Sequence, residues 1–245
     1  MYQNNSGFLS RIPPVTKNLI IINALLFLAT TAAPRFGWDL YKYLGLHYVS
    51  ATDFNPAQFV TYMFMHGNFT HVLFNMFAVF MFGSVLEQVW GPKRYLIFYF
   101  VAGIGAGLIQ EIAWYVDLRE ILALSENELI NIGGGHIVTK EIVLNLLVTV
   151  GASGSVFGLL LAYGMLFPNS AIYLMFIPIP IKAKYFVIGY GVLELTIGVA
   201  NFSGDKIAHF AHLGGMLFGF FLIWYWKRKD IKDKNINNDQ YRFFR

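Results

Sequence analysis

Ser153 stands in Gly151-Ala152-Ser153-Gly154 at the head of one apolar segment, and His212 stands in Ala208-His209-Phe210-Ala211-His212-Leu213-Gly214-Gly215 at the head of another. A serine hydroxyl becomes a useful nucleophile when a neighbouring base takes its proton. A histidine, with an ordinary pKa of about 6.5, can do this near neutral pH. In a third apolar segment His71 and Asn75 are four residues apart, so on a helix they share a face about one turn apart and offer two hydrogen-bond donors. Attack on an amide produces a tetrahedral oxyanion, which needs donors already in place. His71, Asn75 and the backbone N–H of Ser153 are the candidates for that role, with His212 as the base. The set contains the parts for acyl transfer, placed inside or at the edge of a membrane.

The elements that must position these groups are membrane helices. Of the 245 residues 56% are hydrophobic and only 13% charged, against roughly a quarter charged in an ordinary soluble domain. Six segments approach the roughly 20 residues of helix needed to cross a hydrocarbon core: 17 to 33, 69 to 90, 94 to 115, 152 to 167, 185 to 200 and 208 to 226. With Pro168, Lys227 and Trp90 as boundary markers, Ser153, His212 and Asn75 each lie fifteen residues away. At about 1.5 Å per residue each reaches roughly 22 Å above that boundary, about 8 Å below the outer edge of a core about 30 Å thick. The three can therefore meet in one plane. Gly154 and Gly158, and Gly215 and Gly219, have the small-xxx-small spacing that lets helix backbones approach closely in lipid. The shortness of the fourth segment would leave a wet depression above Ser153, which hydrolysis requires.

The charges set an orientation. With both termini in the cytoplasm, Arg11, Lys17, Lys93, Arg94, Lys182, Lys184 and the tail from Lys227 to Arg245 fall on one side, while Arg35, Lys42, Arg119, Lys140 and Lys206 fall on the other with most of the acids. This distribution satisfies the positive-inside rule. The net charge of +4 thus reflects topology, and no aromatic-laced basic groove points to nucleic acid. The absence of cysteine excludes disulfides and thiolate metal sites. The organisation expected is a short cytoplasmic segment (1–16), a six-helix membrane domain (17–226) and a basic cytoplasmic tail (227–245). The aromatic-rich stretch 34–68 is expected to lie in the membrane interface, and 116–151 to be an external helical excursion hinged at Gly133-Gly134-Gly135. The prolines at 168, 178 and 180 mark a cytoplasmic turn.

At these residues the chain resembles the rhomboid family of intramembrane serine proteases. Gly-Ala-Ser-Gly, the His71-x3-Asn75 pair preceded by His66-Gly67-Asn68, and Ala-His-Leu-Gly-Gly followed by Gly219 occur in the family's order across residues 58 to 219. Each motif alone is weak, and the ordered set is specific. The resemblance implies an all-α polytopic membrane protein, a six-transmembrane-helix bundle with both termini cytoplasmic. It also implies a Ser153–His212 dyad with no acidic third member, an oxyanion hole using His71 and Asn75, no cofactor or metal, and cleavage of single-pass transmembrane substrates, with a small residue before the cut bond. Glu87, Gly91 and Arg94 also look like the family's pattern around the end of the second helix. The Trp-Arg pair often found in the family's first external loop is absent.

Other residues invite rival readings. His66 and His209 flank the key histidines and read as structural. Glu194 could serve as a proton relay, but with nothing in the sequence pairing it with the serine it reads as an interhelical hydrogen-bonding group, and Glu87 as a helix-end anchor. A catalytically silent rhomboid-like protein that captures transmembrane helices is the alternative to an enzyme. A site in which His66, His71, His209 and His212 ligate a metal is a third reading, disfavoured because no His-Glu-x-x-His motif accompanies them. The compact chain without a presequence fits a bacterial plasma (inner) membrane.

Overall fold

Proline is pre-shaped for the first turn of a helix, and the first long helix opens on it: α1 spans Pro14–Ala32. The computed structural model describes residues 11–125, 128–174, 177–200 and 206–236. Residues 1–10 of the N-terminal segment and 237–245 of the tail lie outside them. The N–H groups exposed at the start of α1 are satisfied from a distance. Glu87 accepts from the backbone N–H of Val15 (2.9 Å), the backbone N–H of Thr16 (2.7 Å) and the Thr16 hydroxyl (2.8 Å). This is the helix-end anchoring expected of that buried carboxylate.

A short helix α2 (Leu40–Leu44), a strand β1 (Leu46–His47) and one helical turn α3 (Gln58–Thr61) form the first connecting loop. Gln58, buried at its centre, accepts from the N–H of Asn55 (3.1 Å) and donates to the carbonyl of Asp53 (2.9 Å). Thr61 donates to the carbonyl of Leu44 (2.8 Å). These bonds anchor a loop that lacks the Trp-Arg pair. Phe36, Trp38 and Tyr43 are exposed at its edge, in keeping with an interfacial position, while Tyr48 turns inward onto Trp114.

Helix α4 (Phe69–Ala78) is capped by Asn68, whose side-chain oxygen accepts from the His71 N–H at 2.8 Å. One π-helical turn (Val79–Gly83) leads into α5 (Ser84–Leu122), which bends at Gly91 (φ 78°, ψ 163°) just before Pro92. The bend divides this continuous stretch where the sequence separates its second and third segments. The second arm outruns its expected end at 115, and the carbonyls of its last residue, Leu122, and of Leu124 just beyond it are met by the buried Lys140 ammonium at 3.2 Å each. After it come a hairpin of β2 (Leu129–Asn131) and β3 (Ile137–Thr139), helix α6 (Lys140–Leu146) and strand β4 (Val148–Thr149). Gly133, Gly134 and Gly135 all have left-handed φ, so the glycine run forms the tip of this hairpin and not a hinge in a helical excursion.

Strand β4 pairs antiparallel with β1, Leu46 opposite Thr149 and His47 opposite Val148, which ties the first loop to the residues just ahead of Ser153. Helix α7 follows (Ser153–Leu166), then a proline-bearing hairpin of β5 (Ala171–Leu174) and β6 (Ile177–Lys182), then α8 (Ala183–Ala200) and α9 (Lys206–Ile236). The all-α expectation therefore holds for the bulk of a mostly helical chain, with three small antiparallel pairings in the connections. Helix α9 runs past the expected boundary at 226. Asp230 takes the Arg94 guanidinium in two hydrogen bonds (2.7 and 3.0 Å), which fastens the added turns to α5.

Among the described residues two stretches, Pro14–Phe36 and Phe69–Leu122, are long and apolar enough to cross a membrane by length and composition, and Ser153–Leu166 is a shorter apolar helix. The second stretch has 54 residues, over twice what one crossing of about 20 requires. The core lies where α5, α7 and α9 meet, around the fully buried Tyr95, Phe98 and Tyr99.

Candidate active site

Ser153 is the first residue of α7 and is half-buried. The start of a helix carries unpaired N–H groups and the positive end of the helix dipole, a setting that favours an oxyanion. Gly151, two residues earlier, has φ 137° and donates its N–H to the Tyr62 carbonyl at 2.9 Å. That bond and the β1–β4 pairing fix the approach to the serine from two directions. Ser155, the neighbouring hydroxyl, is buried and donates to the Tyr99 carbonyl at 2.7 Å, a structural role that separates it from Ser153.

The sharp turn at Gly151 also brings α4 to α7. A methyl group on Gly151 would stand 2.9 Å from Nε2 and Cε1 of His71 and 3.4 Å from Oγ of Ser153. Glycine is required there by both its backbone angle and this close approach. His71 and Ser153 thus flank one point. Asn75 follows one turn along α4, and its buried amide nitrogen has no hydrogen-bond partner among the described residues. A buried donor left unpaired is costly, by about 1–3 kcal/mol.

His212 is positioned by packing. The α7–α9 crossing is so tight that a Cβ on Gly215 would strike the Gly154 carbonyl, and one on Gly219 would lie 3.4 Å from the Gly158 Cα. The paired small residues work as their spacing implies. The crossing lays the His212 ring flat against Phe157, with centroids 4.1 Å apart and planes 9° apart. Phe157 is one turn beyond Ser153 on α7, so His212 and Ser153 occupy neighbouring turns of the same seam. No hydrogen bond joins them in this conformation among the described residues, a common state for a site without substrate.

Glu194 makes the interhelical hydrogen bond expected of it, to partners the sequence did not identify. Buried on α8, its Oε2 lies 3.0 Å from Nδ1 of His212 and 2.6 Å from Nδ1 of His209. The carboxylate is therefore an interhelical hydrogen-bonding group, as expected, but one that contacts the candidate base. Its position inside an apolar helix was the available signal. His209 is tied to the same carboxylate and is not simply a packing residue.

Among the described residues the four histidines do not form one cluster of potential ligands. His66 packs edge-on against His71 with centroids 5.0 Å apart, and His209 packs against His212. The group of potential ligands found among the described residues is Glu194, His209 and His212, whose facing atoms already satisfy one another. His66 is fully buried in the first loop, and burial, reinforced by neighbouring His71, lowers its pKa from 6.5 to about 3. It is neutral at physiological pH, in line with a structural role.

A mostly helical, apolar chain with these polar groups at its helix mouths is of the membrane-embedded type, and comparison with known proteins agrees. The Rhomboid domain family matches residues 54–229. This chain belongs to the rhomboid family, which is membrane-embedded and includes serine proteases. Similar proteins include the Rhomboid-like protein 11, chloroplastic, of Arabidopsis thaliana, 29% identical over 68% of this chain and 51% of that one. The Rhomboid protein 1, mitochondrial, of Saccharomyces cerevisiae is 26% identical over 92% of this chain and 60% of its own length. The Rhomboid protease AarA of Providencia stuartii is 26% identical over 64% of this chain and 51% of its own. The chain spans about half the length of such curated relatives. Their names place them in chloroplasts, mitochondria and a bacterium, which gives no support to a bacterial inner membrane in particular.

Proposed function

We propose that this chain is an intramembrane serine endopeptidase. Ser153 Oγ attacks the scissile carbonyl while His212, through Nε2, takes its proton and returns it to the leaving amine. His71, Asn75 and the Ser153 backbone N–H receive the oxyanion. Six membrane crossings, with α5 counted as part of two on either side of Gly91 and both termini cytoplasmic, set this site below the outer surface. No cofactor enters the chemistry. The substrates are single-pass transmembrane proteins. Helical carbonyls are already hydrogen-bonded and shielded, so a substrate with Gly or Pro near the outer face, where its helix unwinds easily, is preferred.

The observation that carries this reading is the meeting of His71 and Ser153 at Gly151, with the unpartnered Asn75 amide one turn away. A fluorophosphonate probe tests it. Labelling at Ser153 that disappears in Ser153→Ala and persists in Ser155→Ala is the expected result. A second reading, a silent rhomboid-like protein that binds transmembrane helices, draws on the missing Ser153–His212 hydrogen bond. It predicts no labelling at Ser153 alongside retained capture of a transmembrane peptide in vesicles.

A further inference from the structure

Two imidazoles from one helix meet a single carboxylate oxygen from another in a buried setting. Glu194, 5% exposed on α8, brings Oε2 to Nδ1 of both His209 and His212 on α9. A carboxyl proton on Oε2 would serve only one of these contacts, so at least one ring must donate through Nδ1–H. An ionised carboxylate accepts from both, and two donors are what a buried carboxylate needs. With Nδ1–H directed at Glu194, His212 keeps its lone pair on Nε2, the nitrogen free to take the Ser153 proton.

The ring is constrained in a second way. Phe157 stacks flat under His212, and Tyr190, one turn before Glu194 on α8, stacks on Phe157 with centroids 5.0 Å apart and planes 17° apart. Phe157 fixes the plane of the imidazole, and the Glu194 contact fixes its rotation within that plane. When His212 becomes an imidazolium during attack, the same carboxylate faces the new charge.

We propose that Glu194 is an acidic positioning residue for His212, so that this chain works with Ser153, His212 and Glu194 in series where a two-residue dyad is expected, and that His209 steadies the carboxylate by supplying its second hydrogen bond. The proposal rests on His212 being the base of a serine protease. Glu194 acts through His212 and touches no substrate.

The test combines kinetics, with chelator present, with a spectroscopic readout recorded before and after adding chelator, in full-length protein in lipid vesicles. Glu194→Gln, of the same shape, is expected to lower kcat about 10- to 1,000-fold while KM changes less than about threefold, and Glu194→Asp to recover part of the loss. In nitrogen-15 histidine spectra the native protein should show a downfield Nδ1–H on His212, which Glu194→Gln weakens or removes. His209→Gln should give a smaller kcat loss with the His212 signal retained. Unchanged kcat in Glu194→Gln, or an identical His212 tautomer with and without the carboxylate, would overturn the proposal. The spectra report on Glu194 even in Ser153→Ala. A protease that survives Ser153→Ala therefore refutes the Ser–His mechanism separately, and loss of the signal on chelation points to a bound metal in place of a positioning hydrogen bond.

Discussion

Helix α9 meets its two neighbours in opposite ways. Against α7 it is joined backbone to backbone, with Gly215 beneath the Gly154 carbonyl and Gly219 beside Gly158. Towards α8 it is held by the Glu194 carboxylate on two imidazoles, and an apolar cleft of about 410 Å³ opens between α5, α7, α8 and α9, lined by Ile109, Leu161, Gly191 and Met216. The outer face of α8 is spread with exposed large side chains, among them Ile188 and Val199. The first seam fixes a distance, and the second fixes a direction. The proposed proton transfer from Ser153 to His212 needs both, the spacing from rigid glycine packing and the ring orientation from a polar contact that leaves the helix otherwise loosely covered.

Breaking the tight seam should have the largest effect. Gly215→Leu places a side chain into the Gly154 carbonyl and is expected to cost about 3 kcal/mol or more, read as a large drop in thermal stability in detergent together with lost activity. Gly151→Ala strikes the point where His71 and Ser153 meet, and its φ of 137° disfavours any side chain. It should lower kcat by at least about tenfold, with a stability loss of about 1–2 kcal/mol, measured by cleavage and melting of the same preparation.

Beside the seams, the buried His66 gives a pH signature. Its folded pKa of about 3 lies below the ordinary 6.5, so the unfolded chain binds this proton more readily than the folded one. Its contribution is complete above pH 6.5 and is lost as the pH falls from 6.5 towards 3, by up to about 1.4 kcal/mol per pH unit. His66→Gln should flatten the acid limb of a stability–pH curve in that window. The smallest effect belongs to the loosely covered side of α8. Ile188→Ala, at a position 64% exposed, should change stability by less than about 0.5 kcal/mol, and a larger change would show that this face is packed after all.

The same contrast explains how much was legible in the sequence. Glycines four residues apart state in one dimension that two backbones will touch, so the α7–α9 crossing and the face shared by His71 and Asn75 could be read from spacing alone. Glu194 and His209 are 15 residues apart and lie on separate helices, so nothing in their spacing gives the register with which α8 lies on α9. The contact with His212 was invisible for that reason. The pairing of Leu46–His47 with Val148–Thr149 escaped likewise, being a short match across about a hundred residues. The glycine run at 133–135 looked like a hinge because glycine freedom fits a hairpin tip equally well. The extension of α9 beyond 226 was hidden because Lys, Arg and Asp both mark a membrane boundary and continue a helix, and only the Arg94–Asp230 contact shows which they do here.

The most direct test of the central claim is cleavage of a reporter transmembrane helix by purified full-length protein in lipid vesicles, with chelator present, comparing the native chain with Ser153→Ala. The account predicts cleavage by the native chain and none above background by Ser153→Ala. Equal cleavage by both would contradict it.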